Sequence, residues 1–292
     1  MFDDAIGRTE QAEDTITPGR MAQIIAMLGL NGGQDEKRQL CQDGAALPPL
    51  FHLFFANNAS DRAALDHDGH EKLGRFIPDV STAGPFHRRM WAAGDIRQDG
   101  ALKVGEVVHR RSTITAIDQK HGSTGPLLFV TVERVLSSGS GQVVEERTLV
   151  YRDIPKPGLA PGSSDGLAPD SVEMAGAEGM TEAAVWTPDA PQLFRFSALT
   201  WNAHRIHYDL AHCRETEGYP DLVTHGPFTA LMLANLTAEG LRFGGHQLTR
   251  FRFRGTQAMF TGRAVHLMRG ANGKLEARNH KGQLAMTATR EG

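Results

Sequence analysis

Residues 154–170 read IPKPGLAPGSSDGLAPD, with four prolines and three glycines in seventeen positions. Proline lacks a backbone donor, and glycine loses the most conformational freedom on ordering. No core helix or strand is therefore expected to cross this stretch. A linker over 154–175 splits the chain into an N-terminal unit, 1–153, and a C-terminal unit, 176–292. Each is long enough to bury its own core.

The two units share an order of elements. In the first, Thr17-Pro18 is expected to cap and open a helix running through Leu28, with Gly29 near its end. An apolar segment, LPPLFHLFFA at 47–56, follows with Pro49 at a first helical turn. Strand-like runs then cover 106–117, 127–135 and 142–151, with Gly139-Ser140-Gly141 in a hairpin loop. In the second unit a helical start at Ser197 precedes a long helix from Gly226 to Thr237. Strands are expected over 247–254, 263–269, 274–279 and 283–289. Arg250-Phe251-Arg252-Phe253-Arg254 alternates strictly, with one apolar face. Each unit is thus a helix followed by an antiparallel sheet, an α+β arrangement in which a sheet wraps an apolar helix. Two such units side by side would pair their sheet edges and protect them.

Composition excludes several classes. A net charge of −3 gives no electrostatic case for nucleic acid. No apolar run approaches a membrane span. The N-terminus MFDDAIGRTEQAEDT is acidic and has no apolar core segment, and two cysteines, Cys41 and Cys213, build no disulfide framework. A cytoplasmic protein is expected.

Chemistry concentrates in FRFSALTWNAHRIHYD, 194–209, and in His225-Gly226-Pro227 at the head of the long helix. His207 offers an imidazole able to take a proton from water and return it. Asn202, five residues earlier, stands where a carboxylate would share that work; an amide holds a water or a substrate but does not titrate. Gly226 lets a ligand approach unpaired N–H groups that carry partial positive charge. A thioester oxygen placed there gains most as it becomes an enolate. His204, His207, His212, Cys213 and His225 include no HExxH pattern, and no metal is expected. Arg250, Arg252 and Arg254 read as a solvated sheet face, with a seat for coenzyme A phosphates as the functional alternative. Asp66-His67-Asp68-Gly69-His70 has loop composition and is read as a loop, and GSTG at 122–125 is too short for a phosphate loop.

These residues resemble a known family. Thr200-Trp201-Asn202-Ala203-His204-Arg205-Ile206-His207, then Thr224-His225-Gly226, is similar to the MaoC-like (R-specific) enoyl-CoA hydratases. Their hallmark is Ser-Gly-Asp-x-Asn-Pro-(aliphatic)-His followed by Ala-His-Gly. The resemblance implies a double hot-dog fold, two antiparallel sheets each wrapped around a central helix. It places the base on His207 and the oxyanion glycine on Gly226, and puts Asn202 at the family's aspartate. ALTWNAHRIHYD and EGYPDLVTHGP, with LPPLFHLFF, HRRMWAAGDI, LKVGEVVHRRSTI and VEERTLVYRD in the first unit, resemble one subgroup. That subgroup comprises hydroxyacyl-thioester dehydratase type 2 and the mesaconyl-CoA (3-methylfumaryl-CoA) and itaconyl-CoA hydratases. One site per chain is implied, with the first unit shaping the acyl and pantetheine channel.

Hydration of an α,β-unsaturated acyl-CoA is therefore expected, with no cofactor beyond the coenzyme A of the substrate. Trp201, His225 and Arg205 are expected to bind it. Arg205 stands where the wider family has proline, and its guanidinium suits a second carboxylate, as in mesaconyl-CoA giving citramalyl-CoA. A dehydratase of fatty-acid metabolism is the alternative within this chemistry. A hot-dog thioesterase or an acyl-thioester binding module is the alternative outside it. By analogy with other hot-dog proteins, a homodimer is expected.

Overall fold

The computed structural model describes residues 2–29, 33–122, 125–153, 174, 176–244 and 248–292. The expected linker lies almost wholly outside them, as does the first residue of the strand expected from 247.

The N-terminal unit opens with strand β1 (Thr9–Thr15), helix α1 (Pro18–Leu28) and the short helix α2 (Gln34–Gln39). Thr17 caps α1 by accepting from the Arg20 N–H at 3.2 Å, and Gly29 closes it in the left-handed region at φ 64°. Four long strands follow: β2 (Arg88–Gly100), β3 (Val107–Gly122), β4 (Gly125–Ser137) and β5 (Gly141–Arg152). The C-terminal unit runs β6 (Thr181–Trp186), α3 (Ala190–Thr200), α4 (Gly226–Ala234), a minor hairpin of β7 (Leu236–Thr237) and β8 (Gly240–Leu241), then β9 (Arg250–Gly255), β10 (Val265–Arg269), β11 (Lys274–Arg278) and β12 (Leu284–Glu291).

Ten strands form one antiparallel sheet in the order β1-β3-β4-β5-β2-β9-β12-β11-β10-β6. Five come from each unit, and the seam is β2 against β9, with Ala93 opposite Arg254 and Arg97 opposite Arg250. The units thus close one sheet edge for each other, leaving β1 and β6 at the two ends. Helix α4 is apolar on every side and buried from Phe228 to Ala234, as a helix enclosed by a sheet must be. It packs on β2, β9, β11 and β12.

The apolar segment at 47–56 is buried but makes only a 3-10 turn at Phe51–Phe54. Leu50 and Ala56 both adopt positive φ, so regular helix stops at each end. The turn shares one core with α1, α4 and the sheet residues Val108, Leu136 and Val143. Strands β1, β2 and β6, the short helix α2 and the β7–β8 hairpin are the elements the periodicity did not reveal; α3 begins at Ala190 rather than Ser197, and α4 stops at Ala234 rather than Thr237, which lies in β7. No helix among the described residues is long and apolar enough to cross a membrane.

Candidate active site

Helix α3 ends where Trp201 turns left-handed at φ 55°, and the Asn202 N–H donates back to Ser197 O at 2.8 Å. Asn202 Oδ1 then accepts from the His204 N–H at 3.1 Å, and a single 3-10 turn carries Arg205 to His207. Its neighbour in space is the segment leading into α4. The Val223 N–H donates to Ile206 O at 2.9 Å, and the Thr224 N–H donates to Met259 O at 2.8 Å. Two remote pieces of chain are thereby held in register, with His207 and Gly226 facing one cavity of about 830 Å³.

The His207 tautomer follows from its partner. Its Nδ1–H donates to the Val223 carbonyl at 2.7 Å, which leaves Nε2 as the basic nitrogen. Burial pushes its pKa from 6.5 down to about 3; the Val223 bond opposes this, and the His70 field adds to it. The ring is therefore neutral at pH 7. It stacks on His225 at 3.5 Å and meets the edge of His204 at 5.5 Å. Burial likewise holds His204 and His225 well below the ordinary range.

Of the expected site residues, His207, Asn202, Gly226 and Trp201 line the cavity; Arg205 and His225 do not. Arg205 is turned away. Its Nε and Nη2 bond Asp209 at 3.1 and 2.7 Å, and its Nη1 donates to His67 O at 3.0 Å. With three of its five donors so committed and the residue absent from the cavity lining, Arg205 does not stand where the substrate-binding expectation put it, and that expectation is corrected. His225 is corrected too. It is fully buried behind His207, with Nε2 2.9 Å from Ser197 Oγ. Arg250 pairs with Asp95 and Arg252 with Glu291; neither these nor Arg254 line the cavity, so the sheet-face reading holds.

The first unit brings what the motif pair did not reveal. The loop at 66–70 is docked on the catalytic run. The Arg205 N–H donates to Asp68 O at 2.8 Å, and a Cβ built on Gly69, at φ +89°, would stand 1.8 Å from Ala203 O. Only glycine allows that approach. The loop presents His70 to the cavity, with Nδ1–H donating to Asp68 Oδ2 at 2.8 Å and the ring 3.9 Å from that of His204. Burial, then the Arg89 charge, lower the His70 pKa to about 4; burial raises the Asp68 carboxyl, but the His70 bonds and charge together outweigh it and hold it well below its ordinary range. Aspartate and histidine flanking a glycine was the sequence signal, and it lay outside both motifs.

Asp68, His70 and His204 also bring three ligand atoms within 4.8 Å of one another. The nearby Arg89 cation and the engagement of Asp68 with His70 oppose a bound metal ion. The five residues weighed for a metal from sequence form no such group among the described residues, apart from His204.

Arginines of the first unit line the rest of the cavity. Arg88 pairs with Glu217 at 3.0 Å, Arg110 with Glu10 at 3.1 Å, and Arg134 and Arg147 share the buried Glu145 at 3.4 and 2.8 Å. Arg89 also lines it, opposite Tyr151 in the β2–β5 register, with no carboxylate in ion-pair range among the described residues.

The buried imidazoles set an acid limit. With a folded pKa near 3 against 6.5, His207 stays unprotonated while the unfolded chain takes up its proton. Its contribution is complete above pH 6.5 and is lost as pH falls toward 3, and His70 acts in the same direction. The melting temperature is expected to drop between pH 7 and pH 5, and His207→Gln to flatten part of that slope. Equal slopes in scanning calorimetry would refute the assignment.

Residues 50–261 match the family described as hydroxyacyl-thioester dehydratase type 2. The chain is 37% identical over 291 residues to the mesaconyl-C(4)-CoA hydratase of Chloroflexus aurantiacus, covering 98% of this chain and 96% of that one. It is 25% identical over 257 residues to the mitochondrial hydroxyacyl-thioester dehydratase type 2 of Schizosaccharomyces pombe, covering 79% and 80%. Among solved structures, a MaoC-like dehydratase superposes with a TM-score of 0.66 at 14% identity over the whole of both chains. A Mycobacterium tuberculosis protein described as a double hotdog fold gives 0.56 at 12% identity, over 99% of this chain and 96% of that one. The fold here is a double hotdog.

Proposed function

The chain belongs to the hydroxyacyl-thioester dehydratase type 2 family and is a hydro-lyase of acyl thioesters, and we propose that it hydrates a branched dicarboxylic enoyl-CoA, mesaconyl-CoA, reversibly to citramalyl-CoA. The substrate reading rests on the 37% identity to a mesaconyl-C(4)-CoA hydratase along nearly the whole chain. The chemistry rests on a buried, neutral His207 whose Nε2 is unprotonated, in the same cavity as the N-terminus of α4.

His207 takes a proton from water as the water oxygen bonds the β-carbon. The π electrons move to the thioester oxygen, which the Gly226 N–H stabilises as an enolate. A proton then returns to the α-carbon. Asn202 orients water or thioester and does not ionise. Trp201 supplies an apolar wall. No cofactor enters these steps; coenzyme A arrives with the substrate.

In mesaconyl-C(4)-CoA the free carboxylate sits on the β-carbon, beside the attacking water, so its cation must stand beside the imidazoles. Arg89 meets that condition, since it lines the cavity and its field reaches Asp68, His70 and His204. Arg89→Met is expected to lower kcat/KM for mesaconyl-CoA about tenfold or more and to change that for crotonyl-CoA little. An unchanged ratio of the two would remove Arg89 from this role.

The test of the function is a mass-spectrometric assay with mesaconyl-CoA (both thioester isomers), itaconyl-CoA and crotonyl-CoA. One water added to a dicarboxylic substrate is expected. Water added only to crotonyl-CoA would move the enzyme to fatty acyl chemistry, and free thiol release would identify a thioesterase.

A further inference from the structure

Asn202 stands where a carboxylate would share acid/base work with His207, and an amide does not titrate. Another ionisable pair, of which the histidine faces the same cavity, comes from the opposite half of the chain. His70 donates Nδ1–H to Asp68 Oδ2 at 2.8 Å, so its Nε2 carries the lone pair, and its ring lines the cavity. The His204 ring neighbours both candidate bases, 3.9 Å from His70 and 5.5 Å from His207 between centroids. The pair is held by more than its own turn. Asp68 Oδ1 accepts the His70 N–H at 2.8 Å, Asp68 O accepts the Arg205 N–H at 2.8 Å, and Gly69 packs its backbone against Ala203.

We propose that His70, backed by Asp68, is a second catalytic acid/base residue, the one that exchanges a proton with the α-carbon, while His207 handles the proton of the water. This rests on the hydratase reading above. The two imidazoles differ in what they offer an imidazolium. His207 faces a peptide carbonyl and the neutral His225 ring, whereas His70 faces a carboxylate. The Asp68 carboxylate favours a transient positive charge on His70, against the Arg89 cation nearby, and His207 has no such counter-ion.

One mobile proton balances the cycle. In dehydration, His70 Nε2 takes the α-proton as the C–H bond breaks and its electron pair passes to the thioester oxygen at Gly226. The proton crosses to His207 through His204, which accepts on one nitrogen and releases from the other, or through a water. The enolate pair then re-forms the double bond, the C–O bond breaks, and the hydroxyl leaves as water with that proton. Hydration is the reverse, and both histidines end neutral.

The experiment uses citramalyl-CoA carrying 18O at its hydroxyl, incubated with the full-length enzyme in D2O. Deuterium gained at the α-carbon reports the His70 step, and 18O lost reports C–O cleavage. In His70→Gln both are expected to fall by about a hundredfold or more. In His207→Gln, 18O loss is expected to fall as far and deuterium gain much less. Asp68→Asn keeps the side-chain volume and removes the charge; deuterium gain is expected to drop about tenfold in it while citramalyl-CoA still binds. Calorimetric binding and melting temperature accompany each variant, so that a loss of fold is read as such. Wild-type deuterium gain in His70→Gln overturns the proposal, as does equal loss of both signals in His207→Gln. A wild-type enzyme that dehydrates citramalyl-CoA while His70→Gln exchanges normally defeats this inference alone. A wild-type enzyme with neither signal defeats the citramalyl reading and this one with it.

Discussion

His207→Gln is expected to lower turnover of the enoyl thioester by about a thousandfold, within the range that a lost general base supports. The bond from the Val223 N–H to Ile206 O is made by backbone alone, so the join between the 206 and 223 segments is retained. What disappears is the lone pair on Nε2. Because the base acts in the transition state, the loss falls on kcat and kcat/KM together, while the thioester still binds. Steady-state kinetics beside calorimetric binding of the substrate checks both halves of the expectation. Residual turnover within tenfold of wild type would take His207 out of the proton transfer.

How much of this was legible from sequence depends on the range of the interaction. Helix α1 was readable at both ends because Thr17, Pro18 and Gly29 act within one turn. The strands β3, β4, β5 and β9 to β12 carried apolar alternation or flanking turns. β1 did not: TEQAEDT is an exposed, acidic edge strand, defined by pairing with β3 rather than by its own propensity. β2 has Gly94 and an irregular register at 91–93, which blur its period. Asn202, His207 and Gly226 were legible because the run and the helix start are local patterns, and both border the same cavity.

Arg205 and His225 stand beside those positions in sequence but not in space. Their side chains are claimed by Asp209 and His67 O, and by Ser197. Sequence adjacency to a base does not say which way a side chain leaves a 3-10 turn. Conversely, His70 and Arg89 lie more than a hundred residues from His207, and only the docking of one half on the other reveals them. Arg205 is better understood as part of that docking: its backbone and side chain together hold the carbonyls of Asp68 and His67. The cavity is thus built by both halves, with His207 and the start of α4 from the C-terminal one and His70 and the arginine charge from the N-terminal one.

That division makes Gly69 the most exposed point of failure. In Gly69→Ala the new methyl would sit 1.8 Å from Ala203 O, a backbone atom that cannot swing aside, at a φ of +89° that costs an L-residue of itself. Strain of this kind is worth about 1–3 kcal/mol, which for a chain of this size is a fall of several degrees in melting temperature. The cheaper response is for the 66–70 loop to lift off the 203–205 segment. That breaks the bond from the Arg205 N–H to Asp68 O and carries His70 away from His204. The sheet, the α4 core and the His207–Val223 bond lie elsewhere and are expected to persist. The variant should therefore remain folded and lose activity by about a hundredfold, as a displacement of roughly 1 Å at a reacting group does. Hydrogen exchange should rise in residues 66–70 and 203–205 while α4 stays protected. A Gly69→Ala protein with wild-type melting temperature and wild-type turnover would mean that the first half does not deliver His70 to the site in solution.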